Sequence, residues 1–262
     1  MNIITHYPFF LLIFVRITSF FLILPVYSYK NIPVFHKIGF SFFLSWIIFL
    51  TLHPKVLEIN GLYFGILIKE MLTGLFIGFI AYMILSAIQI AGSFIDFQLG
   101  FGIANVIDPM TGAQSPLTGQ FLYTFALLFM LSVNAHHMLL DGVYYSFQFI
   151  PADQVSLPFD RHQILLFLLK SFSSMFLIAF QMAIPVVGSL FIVDVALGIV
   201  ARTVPQMNVF VIGLPLKLGV GFIILIVVMG AMFMLINGLF ETMTQMMKTL
   251  MEMLGGGTRG AG

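Results

Sequence analysis

The sequence predicts an all-α membrane protein with about six apolar helical segments and broken helices between them. Three observations carry this. Of 262 residues, 60% are hydrophobic and only 8% charged, where soluble domains hold about 45–50% and about 25%. The apolar residues run on continuously, several runs approaching the roughly 20 residues that cross a hydrocarbon core as helix. They do not alternate with period two, which excludes a transmembrane β-barrel. With 11 basic and 10 acidic residues in the whole chain, a water-facing surface cannot be dressed. Lipid or other protein must surround most of it.

The runs follow in order. The first is 9–27, interrupted only by Arg16; the second, 38–52, is short; the third is 71–95. The fourth is 121–140, the fifth 171–193 with Pro185 inside, and the sixth 218–240. Stretches with Pro, Asn, Gly or charge separate them: 29–37, 53–61, 96–119, 151–162 and 194–217. No Lys or Arg precedes the first run and no small-x-small cleavage pattern follows it, so it reads as a retained helix. The tail from about 255 to 262 is Gly-rich and reads as a flexible end on a single domain spanning 1–262. Loop charges give no clear positive-inside bias: Lys30, Lys37, Arg202 and Lys217 stand against Lys55, Lys69, Arg161, Lys170, Lys248 and Arg259. A formal net charge of +1 offers no basic surface for nucleic acid, and the absence of cysteine removes disulfides, thiolate metal sites and a cysteine nucleophile.

Few positions carry chemistry. Arg16 lies mid-run, where a charge costs about 2.5–3.5 kcal/mol on insertion scales, so it is either functional or else snorkelled or internally paired. Gly74 and Gly78 form a GxxxG pair that lets helices approach closely. His137 and Asp141 share a helix face, but His136 points about 100° away and no third ligand is near, which argues for a helix-end polar cluster over a metal. The stretch Gln98-Leu-Gly-Phe-Gly-Ile-Ala-Asn-Val-Ile-Asp-Pro-Met-Thr-Gly112 has no phosphate-cradle spacing. It reads as irregular backbone between two apolar helices, which survives at membrane depth only against protein or a water-filled cavity. Gly100, Phe101, Gly102, Asn105, Asp108, Pro109 and Met110 are therefore candidates for a pore-lining or plugging element, with an ordinary surface loop as the alternative. Met243, Met246, Met247, Leu250, Met251 and Leu254 make one face of an amphipathic helix, for a partner or for the chain's own core.

The stretch 194–221 contains Arg202-Thr-Val-Pro205-Gln206-Met-Asn208-Val-Phe210, then Gly213-Leu-Pro215-Leu-Lys217 and Gly221. Together these closely resemble the FliR family, the flagellar members of the type III secretion export-gate proteins. Arg16, Pro25, Pro33 and Lys37 fit the family's N-terminal pattern, and Glu70, Gly74 and Gly78 its third helix. Gly92, Asp96, Gln98, Gly100, Asp108 and Pro109 fit the signature that follows, and Asn134, His136, Ser146, Phe147 and Pro151 the fourth helix and its exit. The resemblance implies a structural and gating subunit of the flagellar protein export channel, in a helical assembly with FliP-like and FliQ-like subunits. FlhB-like and FlhA-like proteins would stand around it, and unfolded flagellar subunits would pass through to cross the bacterial inner membrane at the flagellar basal body. It also implies that 100–119 helps plug the closed pore. Arg16, Gly74, Gly78, Arg202, Pro205, Gln206, Asn208, Phe210 and Lys217 would lie at subunit interfaces. No cofactor is implied.

Two other classes compete with a gate subunit. A secondary transporter would draw on Arg16, Asp194 and the Pro-broken fifth run, but it ordinarily shows repeated broken helices around a midplane site, and no repeat is visible. An intramembrane enzyme would want HExxH, GxSxG or a Ser–His pair, and neither motif is in the sequence.

Overall fold

The structure is a computed structural model that describes residues 6–24, 27, 33–52, 56–101, 116–153, 161–206 and 208–256, with the side chains of Arg161, Val209 and Phe210 outside that description. The described residues form seven helices: α1 Tyr7–Ile23, α2 Val34–Thr51, α3 Gly61–Leu99, α4 Leu117–Ser132, α5 Ala135–Phe149, α6 Arg161–Thr203 and α7 Val209–Leu254. Among them α2, α3, α6 and α7 are long and apolar enough to cross a membrane, and α4 with α5 makes a fifth if taken as one broken span. The all-α membrane fold is as predicted, but the six runs do not become six equal spans. The first yields the 17-residue α1, roughly 25 Å long against a hydrocarbon core of about 30 Å.

The fourth run breaks at Asn134, which adopts the left-handed conformation at φ 58° and ψ 19°. Asn tolerates that region better than most residues, so the chain can turn here after α4 and start α5. The stretch 194–217 is corrected more strongly. It is mostly helix: α6 continues to Thr203 and α7 begins at Val209. Asp194, Arg202, Pro215 and Lys217, which suggested a loop, are accommodated within the two helices, while Pro205 falls in the turn between them. Asp194 and Lys217 pair with each other, so neither needs water to satisfy it.

The chain divides into two compact units, and α3, α6 and α7 contribute to both. The first comprises Met1–Ile84, Asn134–Phe172 and Glu241–Gly262. In it α1 turns Leu12, Ile13, Ile17, Phe20 and Phe21 inward at helical spacing. The Phe10 ring meets Phe42, Trp46 and Phe49 of α2 edge-on, with centroids 5.4–5.8 Å apart. On α3, a Cβ at Gly74 would overlap the Arg16 carbonyl, and one at Gly78 would lie 3.0 Å from the Phe20 carbonyl. The GxxxG face therefore seats α1 on α3. At the end of α7, Met243, Met247, Leu250, Met251 and Leu254 are buried. Of the two readings of the methionine face, the chain's own core is the one seen.

The second unit comprises Leu85–Val133 and Ser173–Phe240. Phe94 of α3 meets Phe176 and Phe180 of α6 edge-on. Gly221 of α7 leaves room for Leu99, since a Cβ there would overlap that side chain. Within this unit α6 and α7 run antiparallel, joined by the short segment 204–208, as the contacts of residue 194 with 217 and of 190 with 221 require.

Candidate functional site

In the second unit the chemistry gathers at the end of α3. Asp96, buried on its last turns, accepts hydrogen bonds from the backbone N–H of Thr118 at 3.2 Å and from the Thr118 hydroxyl. That hydroxyl also lies 2.9 Å from the Gly92 carbonyl. Thr118 sits in the first turn of α4, where backbone N–H groups lack intrahelical partners. The Asp96 carboxylate thus caps α4 from a neighbouring helix, and its negative charge suits the positive helix end. Below this clamp Gly92 and Gly119 meet backbone to backbone, because a Cβ on Gly92 would overlap the Gly119 backbone. The two ends of the intervening segment are therefore held together at one base.

Two residues on from Asp96, Gln98 donates from its amide nitrogen to Asp194 Oδ2 on α6 at 2.7 Å. Lys217 of α7 lies 2.8 Å from Asp194 Oδ1 and 3.0 Å from Oδ2. At Gly100 the chain leaves α3 with φ +91°, a conformation open to glycine and strained for other residues. Gly100 and Phe101 mark the start of the predicted plug. Gly102, Asn105, Asp108, Pro109 and Met110 lie outside the described residues.

In the first unit Arg16 is fully buried. Its Nε and one terminal nitrogen donate to the two carboxylate oxygens of Glu70, the latter at 2.8 Å. The same terminal nitrogen donates to the Ile150 carbonyl at 2.8 Å and the other to Ser146 Oγ at 3.1 Å. The guanidinium also lies 4.0 Å from the centre of the Phe147 ring. Lys69 Nζ approaches Glu70 at 2.6 Å and donates to the Pro151 carbonyl at 2.8 Å. Two cations thus hold the carbonyls at the end of α5, where the helix dipole is negative. Arg16, expected at a subunit interface, is satisfied inside the chain, and Gly74 packs beside it.

Arg202, Pro205, Gln206 and Asn208 lie exposed around the turn between α6 and α7. Phe210 falls in the first turn of α7, its side chain outside the described residues, and Lys217 faces Asp194. The His136 and His137 rings lie with centroids 4.1 Å apart and planes tilted by 36°, while His137 and Asp141 are exposed. The partners that residue-by-residue reading left unpaired are Glu70 and Lys69 for Arg16, Thr118 for Asp96, and Gln98 with Asp194 for Lys217. One signal could have found them: a charge in an apolar helix demands a nearby opposite charge or hydrogen-bond partner.

The family model for "Bacterial export proteins, family 1" matches residues 7–243. The chain belongs to this family. Its FliR character is equally direct. The chain is 58% identical over 255 residues to the flagellar biosynthetic protein FliR of Bacillus subtilis (strain 168), covering 97% of this chain and 98% of that one. It is 28% identical over 198 residues to the FliR of Escherichia coli (strain K12), covering 75% of each. It is also 29% identical over 219 residues to the Yop proteins translocation protein T of Yersinia pestis, covering 81% and 82%. In this FliR-family chain, Asp96 and Arg16, both among the residues that carry the resemblance, are held by Thr118 and by Glu70 respectively.

Proposed function

We propose that this chain is the gating subunit of a flagellar-type protein export channel in the bacterial inner membrane, at the flagellar basal body. Membership of a bacterial export family and the FliR relatives support the export role. The observation that carries the gating role is the base at Asp96, Thr118, Gly92 and Gly119. It ties α3 to α4, so the two helices that flank 100–115 in the chain are held together at their facing ends. A segment of that length between two tied helices, rich in glycine and carrying Asp108-Pro109, suits a plug in a channel that unfolded chains must displace. No step requires a catalytic residue or a cofactor.

Deleting 104–112 from the full-length protein tests this. Resting cells carrying the deletion should leak ions or small solutes, and an intact permeability barrier at normal protein abundance would sink the plug assignment. Assembly with FliP-like and FliQ-like subunits, and with FlhB-like and FlhA-like proteins around them, is part of the same proposal. Arg202→Glu is the clean probe, because Arg202 is exposed while Lys217 is already paired with Asp194. The reversal should abolish co-purification with those partners. Unchanged recovery would remove the α6–α7 turn from the interface.

A further inference from the structure

The polarity of α2 is inverted relative to a helix that faces water. Between Ile38 and Leu50 every exposed residue is apolar: Ile38, Phe40, Phe42, Phe43, Ile47 and Leu50. The two hydroxyls of that stretch, Ser41 and Ser45, are fully buried and donate to the carbonyls of Lys37 and Ser41 one turn back. Polar residues return at the ends, with His36 and Lys37 at the start, Thr51 at the close and exposed Glu58 beyond. Length also separates α2 from the other apolar helices. Its 18 residues span about 27 Å, close to the roughly 30 Å of a hydrocarbon core, while the 39, 43 and 46 residues of α3, α6 and α7 span about 58, 64 and 69 Å.

A helix face built for another helix in a membrane carries small residues and hydrogen-bonding side chains. Both α6 and α7 expose such groups: Gln181 on α6, and Gly188 and Gly230, where a Cβ would meet nothing within 4 Å. The outer face of α2 has Gly39 alone, with the large rings of Phe35 and Phe43 four residues to either side. Lys37, at the start of that face, complements the phosphate of a phospholipid headgroup. We propose that the outer face of α2 is a lipid-contact surface. It takes acyl chains along Phe40, Phe43, Ile47 and Leu50, and phosphate headgroups at the level of His36 and Lys37. The midpoint of the helix, between Phe42 and Phe43, then lies at the bilayer centre. This assigns a ligand class to a surface that the export role leaves unassigned, and it stands whether or not 100–115 plugs a channel.

The full-length chain, extracted from native membranes with the proteins bound to it, is returned to vesicles of phosphatidylethanolamine and phosphatidylglycerol. The chain has no cysteine, so a single spin-labelled thiol is introduced at Phe35, Phe43, Ser45, Ile47 or Leu50 in turn, and the unsubstituted preparation gives the background. Collision rates are compared for oxygen, which enters hydrocarbon, and for a water-soluble nickel chelate. At Phe43→Cys and Ile47→Cys oxygen should collide at least about threefold faster than at Ser45→Cys, with nickel near background. The oxygen-to-nickel ratio should fall by about threefold from Phe43→Cys to Phe35→Cys and Leu50→Cys, nearer the headgroups. Low collision with both reagents at the outer positions would mean that another protein chain covers the face, and nickel exceeding oxygen would mean water; either overturns the proposal. A ratio that stays flat along the helix would overturn its placement across the bilayer. If a cysteine variant does not accumulate, the sole tryptophan decides. Trp46 lies about 5 Å along the axis from the helix midpoint. Its emission, taken as the difference between the parent and Trp46→Phe, should be quenched at least about twofold more by lipids brominated near the acyl-chain ends than by lipids brominated near the headgroup. Equal quenching by the two, or none, would overturn the proposal.

Discussion

Arg16 and Glu70 illustrate how a buried charge recruits its surroundings. The guanidinium spends its donors on two carboxylate oxygens, a serine and a backbone carbonyl, and Lys69 shares the same carboxylate. Removing Glu70 would leave two cations in apolar surroundings. Glu70→Ala should therefore destabilise the chain by about 3–5 kcal/mol, read as a lower melting temperature in detergent. Adding Arg16→Ala to it should cost less than the two single losses together, because one charge no longer lacks its partner. At the other clamp, Thr118→Val keeps the backbone N–H but removes the hydroxyl from Asp96. A loss of about 1–3 kcal/mol is expected in the same melting assay.

Along the helices, glycine has two distinct uses. Gly74 and Gly92 leave no room for a methyl group, whereas a Cβ at Gly188 or Gly230 meets nothing within 4 Å. Gly74→Ala and Gly92→Ala should each destabilise by about 1–3 kcal/mol through forced backbone shifts. Gly188→Ala and Gly230→Ala should be neutral in the isolated chain, or stabilising by up to about 1 kcal/mol through helix propensity. Comparing melting temperatures of the four purified variants checks both halves. The methionine helix offers a parallel contrast. Met247 is 1% exposed and Met234 79%. Met247→Ala should cost about 2–5 kcal/mol and Met234→Ala less than about 0.5 kcal/mol.

The whole molecule is a membrane protein by the length and apolarity of α2, α3, α6 and α7. Alkaline extraction of membranes should leave the chain in the pellet, and its release to the supernatant would contradict an integral location. The antiparallel α6–α7 pair places the exposed turn around Arg202 at a single end. A cysteine at Arg202 should accordingly react with an impermeant thiol reagent from one side of the membrane only.

Composition and uninterrupted apolar runs were enough to establish an all-α membrane fold, because hydrocarbon admits only backbone that satisfies its own hydrogen bonds. The signature between Arg202 and Lys217 was enough for the family. The position of Asn134 inside an apolar run did not reveal a helix break, since left-handed turning depends on what the flanking helices pack against. The same sequence pattern suggested a loop at 194–217, where pairing across an antiparallel helix pair made helix affordable. Composition required that Arg16 find a partner. Which partner it found, and the clamping of α3 from two sides by Thr118 and Asp194, depended on packing. Residues 54, 22 and 96 positions apart in the chain meet only when the helices are in place, and no local pattern records that meeting.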